Sequence, residues 1–306
     1  MFAILHKKDS RTTLLDKLKC FVKKENWSNE RFEKLNELLF EVRCEMENAT
    51  LLKSDLLEIS TCFKKEFLAE TLQGHVLRKP YGYPGDFLLI DKIYTEFKTL
   101  NTAFRIWDEY FHQQTVPRAI RNRKEYFKKL IANKSKVTND LKILNVVSGS
   151  GRELFEMYSN NSIGCNITTT CVELDDYAIA YSKGLNTEFN PQIEYVHSNI
   201  FNYSSFKKHD VIWSAGLCNY LNDNALILLL QYFKSKLAPG GEIILGNFNK
   251  ENNPSRNYLE IMGDWHLIHR TGKQLLYLAK KAGFLNNQIR IDREALNVCL
   301  FLHIKV

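Results

Sequence analysis

The stretch LKILNVVSGSGRELFEMY, residues 141–158, decides how the second half of the chain folds. An apolar run typical of a buried strand is followed by four small residues, Ser148, Gly149, Ser150 and Gly151, and then by the charged start of a helix. Glycine lets the backbone turn sharply and approach a ligand closely. The pattern therefore predicts either a ligand-binding turn or only a tight connection from strand to helix.

Composition limits the class of protein. The 306 residues are 44% hydrophobic and 25% charged, which are ordinary values for one large or two smaller globular domains. The formal net charge of +7 favours an anionic partner or substrate. Seven cysteines form no C-x-x-C pair, so we expect reduced thiols and no cysteine-rich zinc site.

Neither of the two most apolar stretches predicts a membrane or export segment. The start, MFAILHKKDSR, has too short an apolar run for the core of a signal peptide, and ALILLL at 225–230 is too short to cross a bilayer. We expect a cytoplasmic protein without stable membrane insertion.

The organisation changes near residue 140. Helical spacing predicts helices across 28–74, with Ser28 as a cap and Gly74 as a stop, and again over 87–98, 101–113 and 116–133. The later part alternates helical stretches, 222–237 and 272–283, with apolar runs, and APGG at 238–241 is expected to precede the fifth strand. The predicted strands are KILNVV, TTTCVEL, IEYVH, DVIWSA, GEIILGNF and LNVCLFLHIKV. This alternation of strands and helices predicts an α/β fold with a doubly wound, mostly parallel sheet at 136–306. A helical region at 1–135 precedes it in the sequence.

Polar residues after the second and third strands favour an adenosine ligand. Glu173 follows the glycine turn by about twenty residues, where an acid can accept both ribose hydroxyls, although a solvated loop acid is the plainer alternative. Asn199 is placed to bond an adenine edge, and Ile200 or Phe201 to cover its face. NAD and S-adenosylmethionine both fit, but the third glycine of the dinucleotide motif is replaced by Leu154, which favours S-adenosylmethionine.

These motifs also resemble a known superfamily. NVVSGSGRE, VELD, HSNIF, HDVIWSAGLCNYL, KLAPGGEIILGNF and KKAGF, in this order, resemble the Rossmann-like S-adenosylmethionine-dependent methyltransferases over about residues 140–306. KPYGYPGDF, RAIRNR, SGSGRE and the segment at 247–271 are similar to bacterial methyltransferases that make fatty-acid methyl ester signals, such as 3-hydroxypalmitate methyl ester.

The resemblance implies a seven-stranded sheet with the last strand antiparallel, a helical lid, and O-methylation of a fatty-acid carboxylate for quorum signalling. It adds Leu174 and Ala215 to the expected cofactor contacts. Asn199 departs from the aspartate that is usual at the adenine position.

The expected acceptor residues follow the fourth and fifth strands, because ligands of open parallel sheets lie beyond the carboxyl ends of strands. Asn219 and Tyr220 line the methyl group in this hypothesis, or simply pack at a helix start. The long polar and aromatic segment at 247–271 supplies Trp265 as a wall of the pocket. Its candidates to orient the acceptor head group are Glu260, His266, His269 and Arg270.

Arg270 is the preferred clamp for a carboxylate, because its planar fork can bind both oxygens. The alternative is an ion pair with Glu260 or Asp264 that shapes the loop. Asp264, His266 and His269 also read as metal ligands, but a complete set is not evident, so no metal is expected.

Two N-terminal features have both a structural and a functional interpretation. Tyr81, Tyr83 and Asp86 of YGYPGDF are expected to close over the cofactor, or else the turn is rigid and Asp86 caps the next helix. The basic helix at 118–130 is either a solvated face with ion pairs or a surface for an acidic partner such as an acyl carrier. Nucleic acid is not expected, because no reading motif accompanies the basic residues.

Two other functions remain open from the sequence. The acceptor is a small acyl molecule in the preferred hypothesis, and another small molecule or a protein amine in the first alternative. The second alternative is a non-catalytic partner that retained the fold. The sequence indicates no oligomeric state.

Overall fold

The computed structural model describes residues 14–49, 51–160 and 163–306. The start of the chain, on which the signal-peptide interpretation rests, lies outside them. The described residues divide into two units. The first comprises residues up to Pro117 together with Pro254–His266, and the second comprises Arg118–Asn253 and Leu267–Val306.

The first unit is helical. Its helices are α1 (residues 14–22), α2 (Asn29–Glu47), α3 (Lys53–Leu56), α4 (Lys65–Glu70), α5 (Leu72–Arg78), α6 (Phe87–Tyr94) and α7 (Arg105–Gln113), with a 3-10 turn at Leu57–Cys62 and a π turn at Tyr258–Met262. The predicted cap Ser28 is confirmed, since its side chain accepts from the Arg31 N–H. Asp86 caps α6 by accepting from the Leu89 N–H, as the structural interpretation of that turn predicted.

Gly74 does not stop a helix, so that prediction was wrong. It lies inside α5, whose cap is Thr71, and a Cβ at position 74 would stand 2.3 Å from the Leu68 carbonyl oxygen. The glycine is needed because α4 and α5 pack backbone against backbone around Thr71. A glycine inside a helix can thus mark close packing rather than an end.

An aromatic cluster forms the core of the first unit. Phe32 stacks on Tyr110 with ring centroids 3.9 Å apart, and Trp107 meets Phe32 edge to face at 5.2 Å. Trp107 is 2% exposed, so the cluster is dry. Such pairs contribute roughly 0.5–1.5 kcal/mol each beyond the burial of their area.

The second unit contains a seven-stranded sheet in the order β3-β2-β1-β4-β5-β7-β6. The strands are β1 (Asp140–Val146), β2 (Asn166–Glu173), β3 (Ile193–His197), β4 (His209–Ser214), β5 (Leu237–Phe248), β6 (Ile289–Arg293) and β7 (Cys299–Lys305). β1 to β5 pair in parallel, and β7 lies antiparallel between β5 and β6. The predicted α/β class and the antiparallel last strand are confirmed.

Helices cover both faces of this sheet. They are α8 (Thr115–Lys134, in this unit from Arg118), α9 (Arg152–Tyr158), α10 (Asp176–Leu185), α11 (Asp223–Lys234) and α12 (Gly272–Lys281). α11 and α12 pack with Leu144 and Ile212 in one apolar core, while Phe127 of α8 contacts Trp213 on the opposite face. Because neighbouring residues of a strand point to opposite faces, Ile212 and Trp213 serve the two layers.

The strand predictions needed two corrections. APGG was expected to precede the fifth strand, but it lies within β5, where the pairing with β4 shifts register and Gly240 has a φ of 76°. The resemblance implies seven strands, but no segment was predicted for β6. Its sequence IRIDR alternates apolar and charged residues over only five positions, so its apolar signal is weak.

Several basic residues of α8 are bound by groups within the second unit. Lys124 and Lys128 both bond Glu156, and Lys134 bonds Glu242 at 2.6 Å. Arg123 is buried and donates to the Ala215 carbonyl at 2.9 Å. These contacts favour the structural interpretation of 118–130. Among the described residues, no helix has the length and apolar character needed to cross a membrane.

Glu242 gives the unit a stability that depends on pH. It bonds His303 Nδ1 at 2.6 Å and Lys134 at 2.6 Å. Burial alone would raise the pKa of Glu242, but the hydrogen bonds from His303 and Lys134 outweigh it and lower this pKa from 4.5 to about 2. A lowered folded pKa stabilises the protein above about pH 4.5, and this contribution is lost as the pH falls through about 2.

We therefore expect urea unfolding to show a steeper loss of stability in acid for the parent than for Glu242→Gln. Between about pH 6 and about pH 3 the parent should lose about 2 kcal/mol more of its free energy of unfolding than Glu242→Gln loses. Glu188→Gln is the control, since Glu188 is exposed and forms no ion pair with the described residues. Equal slopes for the parent and Glu242→Gln would contradict the assignment.

Candidate functional site

The connection from β1 to α9 is held in an unusual backbone conformation. Val147, Gly149 and Gly151 have φ values of 56°, 54° and 66°, all left-handed. Glycine adopts this region freely, whereas a β-branched residue does so only under strain. Val147 was not singled out in the sequence, because only the backbone angles reveal its position. Strained residues of this kind cluster at functional sites.

Gly151 also permits close packing. A Cβ there would stand 2.1 Å from Ser182 Oγ and 3.0 Å from Asn186 Nδ2, at the end of α10. Asn186 donates to the Gly151 carbonyl at 3.3 Å. Ser148 and Ser150 are buried in the turn, and Ser150 Oγ accepts from the Arg152 N–H at 3.4 Å. The turn is thus fixed from both sides.

Glu173 is bound to the same turn. Its Oε2 accepts from the Gly149 N–H at 2.9 Å, and its Oε1 accepts from the N–H groups of Leu174 and Asp175 at 2.8 and 3.1 Å. Burial raises the pKa of Glu173, and these backbone hydrogen bonds only partly offset the effect. Each carboxylate oxygen can accept about two bonds, so one position on Oε2 stays open. A ligand with two adjacent hydroxyls would have to displace at least one backbone N–H.

Large apolar side chains are exposed beside Glu173. Val147, Leu174 and Phe201 are 41%, 59% and 46% exposed, and they follow β1, β2 and β3. Since these strands are parallel neighbours, all three residues lie at the carboxyl edge of the sheet. Exposed apolar surface next to a buried acid is typical of a ligand site.

The residues after β3 separate into core and surface. Ile200 is 5% exposed and packs in the apolar core, so the predicted cover over an adenine is left to Phe201. Asn199 is exposed, and its Oδ1 accepts from the Phe201 N–H at 3.0 Å. Its amide Nδ2 forms no hydrogen bond with the described residues, and it can donate to a ligand.

Arg270 lies in the second unit and is fully engaged by protein groups. Its Nε and Nη2 contact Asp223 at 2.9 Å, Nη1 donates to the Cys218 carbonyl and Asn247 Oδ1 at 2.9 Å each, and Nη2 donates to the Leu221 carbonyl. Nε, Nη1 and Nη2 all donate to protein groups, and the residue is 2% exposed. Every nitrogen of the guanidinium is therefore engaged inside the protein, which argues against a clamp on an acceptor carboxylate. The alternative of an ion pair is correct in kind, but the partner is Asp223 rather than Glu260 or Asp264.

Neighbouring residues complete the loop after β4. The Oδ1 atom of Asn219 accepts from the Phe248 N–H at 2.8 Å, and the backbone carbonyl of Asn219 accepts from the Ile268 N–H at 2.7 Å. Tyr220 is 47% exposed, which suits a wall residue. His269 donates through Nδ1 to the Leu267 carbonyl at 3.0 Å and meets the Asn253 amide at 2.9 Å through Nε2. These bonds give His269 a structural role.

The other predicted residues lie in the first unit. Glu260 is buried and bonds Arg43 and Arg256; burial would raise the pKa of Glu260, but these hydrogen bonds outweigh it and lower that pKa. Asp264 bonds Lys79 and, at 3.0 Å, His266 Nε2. They border a cleft of about 130 Å³ with a mixed lining, whose aliphatic part is Leu56, Ile59, Leu77 and Ile261.

Further residues of that unit are less accessible. Trp265 is 3% exposed and therefore packs in the interior. Asp86 is fully buried, with both carboxylate oxygens 2.8–3.0 Å from His75 Nε2. Tyr81 packs on Phe87 at 4.5 Å, and Tyr83 is partly exposed. Among the described residues, no group of three His, Cys, Asp or Glu side chains could hold a metal ion.

The chain matches no protein-family model and no curated protein. Solved structures do share its fold. A possible exported protein from Bordetella parapertussis is 17% identical with a TM-score of 0.64, covering 78% of this chain and 85% of its own. A candidate O-methyltransferase from Nostoc punctiforme PCC 73102 is 14% identical with a TM-score of 0.50, covering 79% of this chain and 70% of its own. At these identities the likeness shows the fold alone.

The strain at Val147 predicts an unusual response to substitution. Val147→Gly should increase the free energy of unfolding by about 1 kcal/mol, because relief of the left-handed strain exceeds the entropy cost of glycine. Urea unfolding measures the change. Val137→Gly is the matched control, since Val137 is 85% exposed and has no positive φ. If both glycine variants lose the same stability, Val147 is not strained.

Proposed function

We propose that this protein is an S-adenosylmethionine-dependent methyltransferase. The observation that supports it best is the carboxyl edge of the sheet, where the left-handed turn, the Glu173 carboxylate and three exposed apolar side chains lie together. An adenosylated amino acid has matching parts: a small zwitterionic end for a glycine turn, ribose hydroxyls for a buried acid and a flat apolar ring.

The sheet favours this cofactor over NAD. A dinucleotide domain of the usual kind has a parallel sheet of six strands, in the order 3-2-1-4-5-6. Here an antiparallel β7 lies between β5 and β6. Leu154, where a dinucleotide motif has its third glycine, is fully buried. The fold shared with the Nostoc candidate O-methyltransferase points the same way.

Each group at this edge has a defined task in the proposal. Gly149 and Gly151 leave space for the methionine end, Oε2 of Glu173 accepts a ribose hydroxyl, and Asn199 Nδ2 donates to the adenine between Leu174 and Phe201. The cofactor supplies a sulfonium methyl group for in-line transfer. Arg270 acts through position, because it fixes the loop after β4 rather than touching the acceptor.

Calorimetry with S-adenosylhomocysteine tests the cofactor. The parent should bind, and Glu173→Ala should weaken binding by about 1–3 kcal/mol, since ligand hydroxyls and backbone N–H groups lose their acceptor. Asp176→Ala is the control, as Asp176 lies on the same edge with its side chain 76% exposed. Heat with NAD and none with S-adenosylhomocysteine would replace the methyltransferase by a dehydrogenase. Binding of neither would favour a non-catalytic partner that kept the fold.

We further propose that the acceptor is the carboxylate of a fatty acid, giving a methyl ester. The motifs shared with ester-forming methyltransferases support this, and so does the aliphatic side of the cleft in the first unit. Lys79 of the lining is already paired with Asp264, so in this proposal the aliphatic side of the cleft takes part of an alkyl chain rather than the head group. Burial of alkyl surface provides roughly 0.8 kcal/mol per methylene before ordering costs.

Filling the cleft should change the preference for chain length. Leu77 lines it and is partly exposed, so Leu77→Trp should raise KM several-fold for long fatty acids and leave short acids unchanged. Leu100→Trp, at a site 94% exposed, is the control. Radiolabelled methyl transfer in a host extract identifies the acceptor class. Label found only on protein or on polar amines would reject the fatty acid and leave the methyltransferase intact.

A further inference from the structure

A second cleft lies at the opposite edge of the sheet from the glycine turn. It measures about 440 Å³ and lies entirely within the second unit. Its walls are the early residues of four parallel strands, among them Lys142 of β1, Thr168 of β2, Glu194 of β3 and His209 of β4. The proposed cofactor edge begins where these strands end, so the two sites are separate. The volume falls within the range of small-molecule sites, about 300–1,000 Å³.

Positive charge dominates the lining. Among the lining residues, Lys142, Lys207 and Lys208 exceed the one carboxylate, Glu194, by two charges. The Asp210 carboxylate, outside this lining, accepts from the backbone N–H of Lys142 at 2.8 Å. Glu194 is already held by Lys207 at 2.8 Å and by the Thr170 hydroxyl at 3.0 Å. The Lys142 ammonium, in contrast, forms no ion pair or hydrogen bond with any residue that the structure describes.

The basic loop of the cleft is fixed in place. Lys208 Nζ donates to the Ser235 carbonyl, and Lys236 Nζ donates to the Ser205 carbonyl at 2.6 Å. The backbone N–H of His209 donates to the Lys236 carbonyl at 2.9 Å. Residues 205–209 are therefore anchored to the end of α11, and a ligand would not have to order them.

His209 is the second, independent sign of a ligand. It lines the cleft and is 2% exposed, and its Nδ1 is buried with no hydrogen-bond partner among the described residues. A buried polar atom without a partner destabilises the protein, because its lost hydration is not replaced. At the wall of a basic cleft, a bound ligand is one way to satisfy this atom.

We propose that this cleft binds a small molecule carrying a phosphate group. A phosphate monoester has a charge of about −1.5 to −2 at neutral pH, which matches the excess of the lining. Lys142 and the exposed Thr168 hydroxyl donate to its oxygens, and His209 Nδ1 satisfies its hydrogen bond on the ligand. Pro191 and Ile193 provide apolar surface for the remainder of the molecule.

Calorimetry tests the proposal with three probes: ribose 5-phosphate, inorganic phosphate and ribose. The salt concentration is about 0.15 M, at which exposed charges are screened over about 8 Å. The full chain should bind ribose 5-phosphate and not ribose. Tighter binding of the ester assigns the site to a phosphomonoester, and equal binding assigns it to free phosphate; both support a phosphate site. Lys142→Met should weaken binding about tenfold through loss of a charge-assisted hydrogen bond.

Two controls make the result specific. Lys273→Met removes an exposed charge from α12, outside the cleft, and should bind as the parent does. Glu173→Ala should also bind ribose 5-phosphate normally, which separates this site from the proposed cofactor site. The ring nitrogen resonances of His209 should shift on titration. No binding by the parent, an equal loss in Lys273→Met, or an unchanged His209 signal would overturn the proposal.

Discussion

The left-handed turn after β1 is the constraint on which the carboxyl edge of the sheet depends. Gly149, whose φ is positive, donates its N–H to Glu173, and this bond joins the end of β2 to the turn after β1. Gly151 brings α9 against Ser182 of α10, at a distance that excludes any side chain. Val147 accepts roughly 1–2 kcal/mol of strain to begin the turn. The carboxyl edge therefore combines a turn with backbone strain and a regularly paired sheet that holds the turn in place.

The two charged residues that drew most attention in the sequence serve the edge in opposite ways. Each guanidinium nitrogen of Arg270 donates to a protein group, so Arg270 holds Cys218, Leu221 and Asp223 in one arrangement and fixes the loop after β4. Glu173 retains one acceptor position and is surrounded by exposed apolar residues. A buried charged group whose hydrogen bonds are all made by the protein supports the structure. One that keeps an open hydrogen-bonding position offers a place for a ligand.

Sequence patterns predicted the parts of the fold that depend on local signals. β1 to β4, β7 and the later part of β5 were predicted because each carries its own apolar run, and Asp86 because a cap acts within three residues. The φ of Val147 and the close approach at Gly74 depend on packing with distant elements, and no local pattern encodes them. The Asp223 partner of Arg270 stands 47 positions away, so spacing within one loop pointed to the wrong acids.

The net positive charge illustrates the same limit for function. The run of basic residues in α8 left open a surface for an acidic partner beside the structural interpretation, and Lys124 and Lys128 are balanced by Glu156 inside the unit. Lys142 and the pair Lys207–Lys208 are more than sixty positions apart in the sequence, and only parallel pairing of β1 to β4 brings them to one cleft. A dense run of basic residues in the sequence is therefore a poor guide to binding, because acidic side chains of the same protein can pair with it. Charge that the fold gathers from separate strands, with too few acids to neutralise it, is what remains for an external anion.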